Sequence, residues 1–100
     1  MYKRKTVDAY FINYDGMNDR SELTRTGIVT IEKESWKAYN KALFYNRTAA
    51  AQYAPVYFYV TCKRIDIDSY NRYKQNEGNL DDRLDHILTN NLKELTKWNI

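Results

Sequence analysis

The sequence predicts an α+β domain: a small two-layer sandwich with a mainly antiparallel sheet of three or four strands and two main helices packed on one face, in the order β-β-α-β-α. Three observations predict it. A β-branched, aromatic run from Pro55 to Ile67 reads as the central strand of the sheet. Two alternating stretches near the N-terminus are joined by a short polar loop. Leucines and an isoleucine recur at helical spacing between Leu80 and Trp98.

Met1 to Lys5 is a short basic lead. Thr6 to Tyr14 reads as the first strand, with Val7, Ala9 and Phe11 on one face and Asp8, Tyr10, Ile12 and Tyr14 on the other. Asp15 to Glu22 reads as a loop whose positive-φ point is expected at Asp15-Gly16. Leu23 to Ile31 reads as a second, antiparallel strand. A helix is expected from Glu32 to about Ala50, with Trp36, Tyr39, Leu43 and Ala50 on its core stripe and Thr30 or Glu32 as its cap. Asn46 to Ala54 reads as either helix or loop.

In the run that begins at Pro55, Val56, Phe58, Val60 and Cys62 alternate with Tyr57, Tyr59, Thr61 and Lys63. The first set should face the core. Ile65 and Ile67 continue the tyrosine face, so this strand either carries a bulge near Lys63 and Arg64 or buries its end on the opposite side. Asp68-Ser69 is a plausible cap for a short helix carrying Tyr70 and Tyr73, and Gly78 marks a break. The last helix, over 80–98, places Asp81, Asp82 and Asp85 in its first turns and Lys93 and Lys97 in its last, the order that complements a helix dipole.

Residues 1–100 form one domain on length alone, with a net charge of +3 that permits nucleic-acid binding without arguing strongly for it. The one cysteine, Cys62, falls on the expected core face, so neither a disulfide framework nor a thiolate zinc site is expected, and a reducing, cytoplasmic setting is. Lys3, Arg4 and Lys5 precede an apolar run too short for a secretory leader, and no stretch approaches a transmembrane span. Gly16, Gly27 and Gly78 are too scattered to build a phosphate-binding loop. A single histidine, His86, removes most histidine chemistry; with Asp82 one turn earlier it reads as an exposed i,i+4 pair. No catalytic residue, metal site or cofactor is expected.

Three surfaces remain. If Val7, Ala9 and Phe11 face the helices, then Tyr10, Ile12, Tyr14, Tyr57 and Tyr59 form one open aromatic patch, too apolar to leave bare. A protein partner or a homodimer is the ordinary use of such a patch; stacking of unpaired bases is the alternative. Lys33, Lys37 and Lys41 recur every fourth residue and, with Lys63, form a row able to track phosphates, although a solvated helix face explains the row as well. Asp66 and Asp68 share a face at a strand end and could hold a divalent cation, with Asp15 as a third acid; helix capping explains them more simply. The expected protein is therefore a small non-enzymatic binding or regulatory protein, of the kind that phages and mobile elements carry as accessory proteins or inhibitors of a larger complex. A nucleic-acid binder is the first alternative, and a metal-dependent nuclease or phosphotransferase at Asp66 and Asp68 the second.

Overall fold

In the computed structural model, which describes residues 5–98, the chain runs β1 (Thr6–Met17), β2 (Leu23–Glu32), α1 (Ser35–Ala51), β3 (Val56–Asp66), α2 (Ile67–Gln75) and α3 (Leu80–Trp98). The three strands form one antiparallel sheet in the order β2-β1-β3, so the α+β class and the element order stand as the sequence predicts. The central strand, however, is β1. The apolar run of β3 lies at an edge; it is apolar because helices cover parts of both its faces, not because strands flank it. The basic lead up to Arg4 lies outside the described residues.

Both faces of β1 are buried, which explains its double aromatic pattern. On the first face, Ile12, Val29 and Phe58 pack against Ala38, Ala42, Tyr45 and Ala49 of α1 and against Leu84, Ile87 and Leu88 of α3. On the second, Ala9, Phe11 and Ile31 pack against Tyr70 of α2, with Val7, Ile28, Ile65 and Ile67 around them. A register shift in the β1–β2 ladder between Ile12 and Asn13 leaves Val29 without a partner. The extra residue lets Val29 serve the first face while Ile28 and Ile31 both serve the second. The β1–β3 ladder has no such shift from Thr6↔Asp66 to Gly16↔Val56. The slip after Cys62 is thus a change of buried side: Phe58 goes under α1, and Ile65 under α2.

The loop before β2 is shorter than expected, since β1 runs on to Met17. Gly16 does not supply the positive φ; Ser21 does, at 61°. The Asn18 side chain holds the turn by accepting from the backbone N–H groups of Arg20 (2.9 Å) and Glu22 (3.0 Å).

Helix α1 buries a different stripe from the one its large residues suggest. Its core side is Ala38, Ala42, Tyr45 and Ala49, while Trp36, Tyr39, Leu43 and Ala50 are exposed. Alanines let the helix sit close over a sheet already filled by Phe58 and its neighbours, and Tyr45 packs on Phe58 with ring centroids 5.4 Å apart. The helix starts at Glu34 without a side-chain cap. It ends in a Schellman reversal: Ala54 N–H reaches Ala49 O at 2.9 Å, Tyr53 N–H reaches Ala50 O at 3.1 Å, and Tyr53 takes a left-handed φ of 54°. Pro55 follows and prevents continuation. Helix α2 is capped by Asp66, whose carboxylate accepts from Ser69 N–H at 2.8 Å, rather than by Asp68. The break before α3 is at Gly78, with φ 64°. In α3 the buried side chains are Leu84, Ile87, Leu88 and Asn91; the side chain of Trp98 lies outside those described. No helix among the described residues is long and apolar enough to cross a membrane.

Candidate interaction surface

The two edges of the sheet are finished differently. At the β2 edge, the segment joining α2 to α3 crosses from one face to the other. Glu77 in that segment accepts from Thr30 Oγ1 at 2.5 Å and from the outward N–H of Ile31 at 2.6 Å. Lys74 lies 3.6 Å from Glu77 and 3.5 Å from Glu32, and Lys41 pairs with Glu32 as well. Burial pushes the Glu32 carboxyl up. The hydrogen bond and charge of Lys41, with the charge of Lys74, outweigh that and hold it below the ordinary glutamate value. These contacts close the Ile31–Glu32 end of this edge.

At the β3 edge one side chain substitutes for a neighbouring strand. Asn46 of α1 donates from Nδ2 to Phe58 O at 2.9 Å and accepts at Oδ1 from Phe58 N–H at 2.8 Å. Phe58 stands opposite Tyr14 in the β1–β3 ladder, and its backbone groups point away from β1. Alternation then turns the N–H and C=O groups of Val60, Cys62 and Arg64 outward too. Among the described residues, nothing bonds to those groups, and the edge closes again where Asp66 caps α2.

Apolar side chains flank this open stretch. Tyr39 and Leu43 of α1, 59% and 51% exposed, stand above it. Tyr57, 60% exposed, stands below it and stacks on Tyr59 with centroids 6.0 Å apart and planes 15° apart. With Asn46 and Val60 they line a shallow groove of about 370 Å³. Tyr59 Oη donates to Asp15 at 3.3 Å, and burial, then the Asp15 charge, raise its pKa.

The register does not bring the five residues of the expected aromatic patch together. Tyr10, Ile12 and Tyr14 pair with Cys62, Val60 and Phe58, so they lie on the α1 and α3 face; Ile12 is fully buried and Tyr10 and Tyr14 partly. Tyr57 and Tyr59 pair with Asp15 and Asn13 on the opposite face, beyond the reach of α2. Only these two of the five belong to the groove. Its other members lie outside the expected patch: Tyr39 and Leu43 are large apolar residues at helical spacing, which reads as core, and Asn46 carries no signal of its own. The signal that separates them is the competing Ala38–Ala42–Ala49 stripe, whose small residues suit close packing on a sheet.

The lysines are dispersed. Lys33 Nζ sits 5.0 Å from the centroid of the Tyr70 ring, and Lys37 lies 3.4 Å from Glu34. With Lys41 on Glu32, no free row of charge runs along α1. Lys63 is exposed on β3, and Cys62, expected in the core, is exposed beside it. The acids are dispersed as well. Asp66 caps α2, and Asp15 lies nine ladder positions away along β1, or roughly 30 Å at strand spacing. Among the described residues no three of His, Cys, Asp and Glu are grouped to hold a metal ion. His86 and Asp82 are both exposed on α3.

No protein-family model matches this chain, and no curated protein or solved structure matches it.

Proposed function

We propose that this chain is a small binding protein without an enzymatic site of its own, and that it acts by protein–protein contact at the outer edge of β3. The observation that carries this reading is the coincidence of two unmet needs: an edge stretch at Val60–Arg64 with unpaired backbone groups, and exposed apolar side chains, Tyr39, Leu43 and Tyr57, beside it. An extended segment added to β3 would meet both, through main-chain hydrogen bonds and apolar contacts on its two sides. The pairing of Lys37 and Lys41 with glutamates weighs against a phosphate track on the same helix.

The test compares the immobilised chain with a Leu43→Lys/Tyr57→Lys variant, both sites being exposed enough for the fold to survive. Cross-linked partners of each are identified by mass spectrometry, and circular dichroism checks the fold. Proteins held by the parent, further copies of the chain included, should be lost from the variant. Equal retention by both would contradict the reading. A parallel anisotropy titration with single- and double-stranded nucleic acid at low salt should show no binding that depends on Lys37 or Lys41.

A further inference from the structure

We infer that the occupant of the open β3 edge is a second copy of this chain, added antiparallel about a two-fold axis at Cys62 to make one continuous six-stranded sheet. The inference rests on the interaction reading above and specifies its partner.

The free stretch carries the argument. Its outward groups belong to Val60, Cys62 and Arg64. Asn46 fills the position before them at Phe58, and the chain turns into α2 after them at Asp66. This window is symmetric about Cys62. Two copies joined there set Val60 opposite the second copy's Arg64 and Cys62 opposite the second copy's Cys62, using every free outward group on both chains. Any other antiparallel register leaves some of them unpaired or collides with Asn46. A two-fold contact uses the β3 edge of both copies at once, so the pairing is isologous and closes at two through this edge, while Glu77 caps the Ile31 end of the opposite edge.

Side chains fit the same register. On the face that carries α2, Tyr59 falls opposite the second copy's Ile65, and Thr61 opposite the second copy's Lys63. On the other face, Arg64 falls opposite the second copy's Val60, beside Tyr39 and Leu43. Tyr39, Leu43 and Tyr57 each leave on the order of 100 Å² to cover. Such area matters, because strand pairing over five residues alone falls short of the about 800 Å² per partner of a stable interface. No like charges stand directly opposite. The nearest, the two Lys63 side chains, lie on a diagonal of about 7–8 Å, close to the screening length of roughly 8 Å at physiological salt. Pairing should therefore strengthen as salt rises.

The experiment is sedimentation velocity on the full chain over a wide concentration range, with Thr61→Glu and Thr61→Lys variants. Thr61 is exposed, and in this register each substitution faces the second copy's Lys63 twice by symmetry. Thr61→Glu should tighten the dimer and Thr61→Lys should loosen it, each by roughly 2- to 30-fold in Kd. A short-spacer bismaleimide should join two chains through Cys62, the protein's single cysteine, since directly opposite Cα atoms lie about 5.5 Å apart. A protein that stays monomeric at all concentrations overturns the inference, as does a dimer insensitive to both Thr61 variants and not joined through Cys62. If a monomeric chain still loses a different protein partner in the Leu43→Lys/Tyr57→Lys variant, self-pairing fails and the interaction reading survives.

Discussion

Replacing Asn91 with alanine should cost this fold about 3 kcal/mol, and replacing Gly16 with alanine should cost as much for the same reason. Asn91 is buried on the sheet-facing side of α3. Its Nδ2 donates to Met17 O (3.2 Å) and Pro55 O (2.9 Å), and its Oδ1 accepts from Thr24 Oγ1 (3.0 Å). One amide thus ties α3 to the end of β1, the start of β3 and the start of β2. Each such bond contributes about 1 kcal/mol net, and the carbonyls left behind are poorly hydrated. Gly16 makes room for this amide: a Cβ there would lie 1.9 Å from Asn91 Oδ1. Its φ is not positive, so alanine adds no backbone strain, only the collision. In Gly16→Ala the amide must swing away and lose its partners. Once Asn91 is alanine, the two closest contacts are gone; the next nearest atom is Thr24 Oγ1 at 3.1 Å, on a side chain no longer held by the amide and able to turn aside.

The double variant should therefore cost about the same as either single one, a coupling of about 2–3 kcal/mol. Urea unfolding followed by circular dichroism gives all four corners of the cycle. Each single variant should also lower Tm by about 12–24 °C, taking about 4–8 °C per kcal/mol for a domain of this size. Additive single effects, or a harmless Gly16→Ala, would refute the account of how α3 is fixed to the sheet.

Two further outcomes follow from side chains already described. Glu32 has its folded pKa held below the unfolded value, so its contribution is complete above about pH 4.3 and is lost as pH falls through the folded value; Glu32→Gln should flatten that acid limb and cost about 1.5–3 kcal/mol at neutral pH, read from unfolding curves between pH 3 and 7. Tyr53 holds a left-handed φ at the end of α1, so Tyr53→Gly should raise stability by about 1 kcal/mol, measured by the same unfolding; a loss would mean that Tyr53 makes a contact worth more than its strain.

Much of the fold was legible in local pattern. Period-two alternation marked β1, β2 and β3, and the leucine stripe with its ordered charges marked α3. Which side of each element is buried was less legible, because it depends on partners distant in sequence. A nine-residue α2 covers Phe11 and Ile31, so the face of β1 carrying Val7 and Ala9 belongs to α2, and Tyr10, Ile12 and Tyr14 belong to the main helices. Once that is exchanged, Tyr57 and Tyr59 separate from Tyr10 and Tyr14. In α1 the size of Trp36 and Leu43 outweighed the spacing of Ala38, Ala42 and Ala49 in the sequence reading, although close helix–sheet approach favours the small residues. Asn46 and Asn91 carry no sequence signature. Each is an ordinary helical asparagine until the chain brings a strand edge or a bundle of carbonyls against it.

The measurement that tests the edge most directly is amide hydrogen exchange along β3 at low and high protein concentration. Tyr59, Thr61 and Lys63 face β1 across the ladder and should be protected throughout. Phe58 should be protected too, through Asn46. Val60, Cys62 and Arg64 should exchange quickly in dilute solution and slow together as the chain associates. Fast exchange at those three amides under every condition in which the protein holds a partner would contradict the claim that β3 is where it binds.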